Sequence, residues 1–533
     1  MWRILKWTLF ALVGVVSLGM IAIAVSLLAP PPAIQVGKQT TVISSPLTEE
    51  GLPDYEAYLL ERNAEGVTPE NNAAVLLTRA LWPSEIEPAD QQPILDALGI
   101  RETPSEAEAL SPLDSPELEV RLSEVLGDET GGAGAEFIAR AHQRPWTTEQ
   151  APALAEWVAE NQSPLDLIVE ATKRPRYWFP SPTFLNDRYD MLIETLLPQA
   201  QASRAAARGL AIRAMHHLGE GRTEQAWRDT MATYRLSRFI GNGFSLVEAL
   251  VAIALDTTAN RQAVAILHYA DLPREKAAAF LRDLETLEPL PPMWSFINDG
   301  ERLFYADSVL ATHSGKDPQF DGALNERFDA NLVLRDGNEV YDECVAAMRG
   351  PDHVSRMLSL NDFEGRLEQR VTAASQSYGR LALTPFSRRV RSEVISDIYV
   401  ALMTPAVSAA FSAQERREVT HELAITAAAL AVYRAEHGEY PAVLDDLVPK
   451  VLEELPIDLY SGKPFLYERK ADGGYLLYSV FENGVDDGGD DHGGEIIAGD
   501  WVEERPLGFD AEQADLVIRV PLPPIDAPMP AVP

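Results

Sequence analysis

Residues 210–238 read LAIRAMHHLGEGRTEQAWRDTMATYRLSR. Apolar and small side chains recur at helical spacing on both sides of Gly219-Glu220-Gly221, and a glycine-bearing turn this short folds two helices back on each other. The pattern continues outward. Ala- and Leu-rich segments at about 199–218, 223–240, 245–268 and 274–288 are separated by that turn, by Gly241-Asn242-Gly243 and by Asp271-Leu272-Pro273. Long amphipathic helices joined by short turns make antiparallel hairpins, and hairpins in series make a bundle or a short solenoid. Residues 195–288 are therefore expected to be a helical-hairpin region, and the chain to be mainly α.

The pair 210–238 is similar to a tetratricopeptide-type hairpin, with Gly221 and Ala226 at the small-residue positions, but one unit makes no array. Gly243-Phe244-Ser245-Leu246-Val247-Glu248 resembles a prepilin processing signature. Its internal position and the early charge at Asp256 favour a helix start instead, with Ser245 as N-cap and Glu248 closing a capping box. Downstream, Pro291-Pro292 marks a boundary, 315–322 reads as a loop, and helices are expected near 338–350 and 361–380. RRVRSEVISDIYVALM (388–403) reads as a helix closed by Thr404-Pro405. Upstream, 53–82 is helical in pattern, with Thr68 as an N-cap before Pro69; 83–135 mixes loops and short helices, broken at Gly131-Gly132-Ala133-Gly134.

The amino terminus sets the expected compartment. Trp7 to Ala29 contains no charged residue. As a helix those residues extend roughly 35 Å, enough for the ~30 Å hydrocarbon core of a bilayer. Arg3 and Lys6 precede the run and no basic residue follows until Lys38, which places the amino terminus in the cytoplasm. A cleaved signal peptide would have a shorter apolar region. The expected address is a bacterial inner membrane, single-pass, with the bulk of the chain in the periplasm. The lipid bilayer would be contacted through residues 7–29, and an envelope protein is the expected partner of the helical body.

Charge and cysteine usage narrow the classes. Across 533 residues, 81 acidic side chains against 45 basic ones give a formal charge of -36. That field repels phosphate backbones, so no nucleic-acid partner is expected. The single cysteine, Cys344, excludes an intramolecular disulfide framework and a Cys-rich metal site.

From Gln414 the pattern changes. A helix runs to a C-cap at Gly438, with Pro441 preventing continuation. Two alternating runs, PFLYERK (464–470) and YLLYSVF (475–481), flank Ala471-Asp472-Gly473-Gly474 and read as a β-hairpin. Ala429-Leu430-Ala431-Val432-Tyr433-Arg434, Gly438-Glu439-Tyr440-Pro441, Ser461-Gly462-Lys463-Pro464, Tyr478-Ser479 and the following Asp/Gly loop together resemble the globular end of the type II secretion major pseudopilin. The whole chain also resembles large single-span envelope proteins of planctomycete type that end in such a module. The resemblance implies a small α+β domain over 414–505 and calcium in the loop after the Tyr-Ser strand. The residues there are Asn483, Asp486, Asp487, Asp490, Asp491 and Glu495. The chemistry points the same way: calcium takes 6–8 oxygen ligands, and glycines let carboxylates converge.

The expected organisation is an anchor at 1–29, a linker at 30–50, a helical and loop-rich region at 51–194, hairpins at 195–288, a second helical region at 289–413, the pseudopilin-like module at 414–505 and a Pro-rich tail at 506–533. Catalytic motifs fail in detail. Gly243-Phe244-Ser245-Leu246-Val247 lacks the last glycine of a nucleophile elbow, His421-Glu422 lacks a second histidine four residues on, and Gly462-Lys463 is no phosphate loop. His216 and His217 are adjacent on a helix and diverge. The leading expectation is a non-enzymatic membrane-tethered protein. A hydrolase with a site assembled from distant residues, and an accessory part of a secretion or pilus-like system, are the alternatives.

Overall fold

The computed structural model describes residues 29–83, 86–127, 133–185, 191–194, 197–316, 327–404, 407–489, 515–522 and 525, with positions 7, 14, 17–21, 23, 24 and 26 of the first 28. Among them the chain is mainly helical, with a small antiparallel sheet region near the carboxyl end. The expected span 7–29 lies largely outside the described residues.

Short helices come first: α1 (Tyr55–Ala64), α2 (Ala73–Ala80), α3 (Pro88–Ala97), α4 (Pro116–Val125), α5 (Ala133–Ala141), α6 (Pro152–Glu160) and α7 (Gln162–Ala171). Prolines open α3, α4 and α6, where the missing N–H costs nothing. Thr68 is not the cap expected for this region. The helix starts at Ala73, because the buried Asn72 side chain accepts from Ala74 N and from Trp178 N, tying the helix start to a distant strand-like segment.

The hairpins stand as read, as α8 (Pro198–Gly219), α9 (Thr223–Gly241), α10 (Leu246–Tyr269) and α11 (Arg274–Glu285). Ser245 and Glu248 form the capping box. Two glycines close the first turn for different reasons. Gly221 adopts φ 73°, which a side chain disfavours. At Gly219 a Cβ would stand 2.0 Å from the Trp146 carbonyl oxygen, so only glycine lets that backbone approach.

Next come α12 (Met293–Phe296), which passes through a π turn at Ile297–Glu301 into α13 (Arg302–His313), then α14 (Ala330–Ala347), α15 (His353–Gln376), α16 (Tyr378–Leu383), α17 (Arg388–Met403) and α18 (Val407–His437). The helix expected from Gln414 thus begins a further two turns upstream. That extension joins two hydrophobic cores. Val407, Ala410 and Phe411 of α18 pack with α1, α12–α15 and α17, while Val419 through Val432 pack with α8–α11 and the sheet. The stretch Arg388–His437 is apolar and long enough to cross a membrane, yet half of its most apolar window is buried in protein. Its interior face meets α10, α11 and the sheet, which is the environment of a core helix.

The sheet strands are β1 (Ile457–Asp458) paired with β2 (Lys463–Pro464), and β3 (Leu466–Arg469), β4 (Tyr475–Ser479) and β5 (Leu516–Val520) in the order β3-β4-β5, all antiparallel. The expected hairpin is β3–β4, and Leu466 faces Tyr478 in its register. Every residue of β4 is buried. Tyr475 and Leu477 face the main core, whereas Leu476 and Tyr478 join Val517 in a small cluster on the other side. The expected Pro-rich tail is corrected here, because its residues 516–520 form β5 and pair Ile518 with Leu477. Leu522 stays attached, donating from its N–H to His268 Nε2 and accepting from Tyr269 Oη, and Ile525 is buried. The backbone of LVIRV pairs with the second edge of β4, while Leu516, Ile518 and Val520 face the main core and Val517 the small cluster.

Candidate functional site

The loop after β4 is built from short-range hydrogen bonds. Asn483 accepts from Val485 N and donates through Nδ2 to Asp487 Oδ2 at 2.9 Å. Asp486 Oδ1 accepts from Tyr478 Oη and from Gly488 N, both at 2.9 Å. Gly488 and Gly489 both hold positive φ, which turns the chain back over β4. Gly489 N then donates to Asp515 Oδ2 at 2.8 Å, and Arg519 donates to Gly489 O.

Asp515, just ahead of β5, is fully buried, and its Oδ1 has no hydrogen-bond partner. Burial pushes its carboxyl up to about 6; the Gly489 N–H offsets part of that, and the Asp487 and Asp486 carboxylates push it further up. Burial and then the Asp486 carboxylate also raise the Tyr478 hydroxyl. Of the six expected ligands, the structure places Asn483, Asp486 and Asp487 in this loop, while Asp490, Asp491 and Glu495 lie outside the described residues. Among the described residues no group of three or more His, Cys, Asp or Glu side chains is arranged to hold a metal ion. What the loop does bring together is a field of carboxylates around one buried, half-satisfied oxygen pair. Nothing in the local pattern marks Asp515, since it is 26 residues from the glycine it binds.

The helical body treats its buried charges differently. Arg213 on α8 grips Asp229 on α9 through two hydrogen bonds, at 2.7 and 3.0 Å, and also reaches Asp166 on α7 at 2.8 Å. Asp256 on α10 pairs with Arg238 on α9 and with Arg417 on α18. Beside that pair, Asn260 Oδ1 accepts from Tyr234 Oη at 2.7 Å and bonds His421 Nδ1 at 3.2 Å. Burial, then the Arg417 and Arg238 charges, hold His421 down at about 3, so it is neutral at physiological pH. Glu415 on α18 receives His353 Nδ1 at 2.6 Å and Arg356 Nη2 at 2.6 Å from α15. Each cluster spans two or more helices and so fixes how they dock.

The His216 and His217 rings lie nearly parallel, 6.4 Å apart between centroids, and take separate partners. His216 stacks on Trp146 at 4.4 Å between ring centroids and bonds Thr148, while His217 Nδ1 accepts from Arg222. A surface groove of about 480 Å³ lies between α9 and α11. Trp227 and Phe280, stacked at 4.0 Å, form its floor, and Glu224, Arg228, Glu275 and Lys276 form its rim. Compared with known proteins, the chain matches no protein-family model, no curated protein and no solved structure.

Proposed function

We propose that this chain is a single-span, membrane-tethered bacterial envelope protein whose helical body is a docking scaffold outside the cytoplasmic membrane. The observation that carries the reading is at the end of the apolar run. Arg391 donates to Ser26 O, Arg388 donates to Ala29 O, and none of the described positions before Ser26 is buried in the body. Leu18, Met20 and Ile21 stand exposed on that helical segment. Aliphatic side chains left exposed on such a helix find their solvent in lipid. Alkaline carbonate should leave the full chain in the membrane, and protease added from the periplasmic side should digest the body. Recovery in the soluble fraction, or digestion only from the cytoplasmic side, would overturn the tether.

The partner surface belongs to the groove between α9 and α11, where an apolar floor sits inside a rim of both charge signs. A photo-crosslinking residue at Lys276 should trap one envelope protein that the same residue at exposed Glu117 does not; identical products from both positions would remove the groove from the reading.

Calcium is the ion proposed for the 482–489 loop, and the support is the buried Asp515 carboxyl, which backbone N–H groups of Gly489 and Asp487 approach and which feels the Asp486 and Asp487 carboxylates. Titration calorimetry on the full chain in detergent should give a binding isotherm that Asp515→Asn and Asp486→Asn abolish. Equal heats from all three proteins would sink the ion site.

A further inference from the structure

The segment joining α15 to α17 is basic within an acidic chain. Between Glu368 and Glu393 there is no acidic residue, while Arg370, Arg380, Arg388, Arg389 and Arg391 fall inside, in a protein of formal charge -36. The same segment is apolar and uncovered. No residue of α16 is buried, and Tyr378, Leu381, Leu383 and Phe386 are 81%, 45%, 52% and 44% exposed. None of the four joins a hydrophobic core. Leaving such side chains in water forfeits about 1.5–3 kcal/mol for each one that burial could have covered.

Its position says what covers it. Phe386 Cε1 lies 3.9 Å from where a Gly19 Cβ would stand, so the segment packs beside the amino-terminal helix. Arg391 ties the two together, donating to Ser26 O and to Thr384 O. At 1.5 Å per residue, Gly19 is about 15 Å along the helix from Ala29, where the apolar run ends, which sets Phe386 at acyl-chain depth. Interfacial helices sink their apolar face ~5–10 Å into the headgroup and acyl boundary.

Resting on the tethered reading above, we propose that residues 378–389 are a second membrane contact. In it Tyr378, Leu381, Leu383 and Phe386 enter the outer leaflet beside the anchor, while Arg388 and Arg389 meet anionic phospholipid headgroups. Arg370 and Arg380 are held by Asp336 and Asp397, and Arg389 shares Glu393, so the apolar side chains supply most of the attraction. The contact adds a second point of attachment that fixes the tilt of the body over the bilayer.

The test uses the full chain in vesicles of phosphatidylcholine and phosphatidylglycerol. Single cysteines replace Leu18, Val354, Leu381 or Phe386 and carry a fluorophore; burial pushes the native Cys344 thiol up to about 12, which keeps it unlabelled. Spin-labelled acyl chains should quench the labels at 381 and 386 at least about twofold more than the label at 354, at the far end of α15. Quenching at 18 with none above the 354 level at 381 and 386 overturns the second contact while leaving the anchor standing. No quenching at 18 overturns the anchor itself, and the contact with it. Crosslinking of 386 to a second copy of the chain, with no lipid quenching there, would make the patch a self-association face and would also overturn the proposal.

Discussion

Asp229 in the helical body and Asp515 under the carboxyl-terminal sheet are both fully buried, and they are held in opposite ways. Asp229 meets a guanidinium that satisfies both oxygens, and Arg228 and His217 stand close behind. Asp515 meets backbone N–H groups and, among the described residues, no cation, with two more carboxylates nearby. The body has spent its cations on locking helices together. The sheet gives its buried carboxyl backbone N–H groups instead of a cation, and burial raises its affinity for a proton.

Breaking the body's arrangement should give the largest effect. Arg213→Ala leaves the buried Asp229 with only the longer contact to Arg228, at 3.4 Å, and should cost about 3 kcal/mol in denaturant unfolding. Replacing both partners with Arg213→Met and Asp229→Leu should recover most of that loss; if the double variant is as unstable as the single, the pair is not what sets the energy.

Acid should separate the two regions next. Burial, reinforced by neighbouring arginines, pushes His217 and His421 down to about 3 and His268 to about 4. The unfolded chain protonates them near 6.5, so it binds more protons and stability falls as pH drops from about 6.5 toward 4. The slope is about 1.4 kcal/mol per pH unit for each histidine. Asp515 and Asp307, raised to about 6, work in the other direction: the folded state keeps their protons, so their contribution grows as pH falls from 6 to 4. Unfolding curves at a series of pH values should therefore show a net loss toward acid, smaller than the histidines alone would give. His421→Gln should flatten the slope by about 1.4 kcal/mol per pH unit. Protonating His268 also costs the bond from Leu522 N, so amide exchange over β5 should quicken below about pH 4.

Two smaller changes sharpen the contrast. Ser245→Ala removes the capping box and should destabilise α10 by about 1 kcal/mol in thermal melts. Asp515→Asn removes a strained negative charge, so it should stabilise the calcium-free protein by about 1 kcal/mol near pH 7, an unusual sign for a core substitution. A loss of stability would mean that Asp515 is structural rather than kept for a ligand.

The hairpins α8–α11 could be read to within a few residues because their information is local. Glycine turns, a capping box and a 3.6-residue apolar period each act within one or two turns of helix. The loop of Asn483, Asp486 and Asp487 was visible for the same reason. Asp515 was not, because its partner lies across a sheet register that only packing selects, and β5 was hidden in a segment whose prolines read as an extended tail. The start of α18 lies two turns ahead of the expected one because residues 407–413 are mostly small and carry little apolar period of their own; docking of Val407, Ala410 and Phe411 on the second core holds them helical.

By itself, the amino-acid sequence determined the helical class, the hairpin turns, the antiparallel β3–β4 pair, the charge of the chain and the apolar run at its start, since each follows from neighbours in the chain. Only the tertiary structure decided that α18 joins two cores, that Asp256 shares Arg238 and Arg417, that Asp515 lies beneath the acidic loop, and that Phe386 stands beside Gly19. Those contacts join residues tens to hundreds of positions apart, and their energy exists only once burial has removed the water between them.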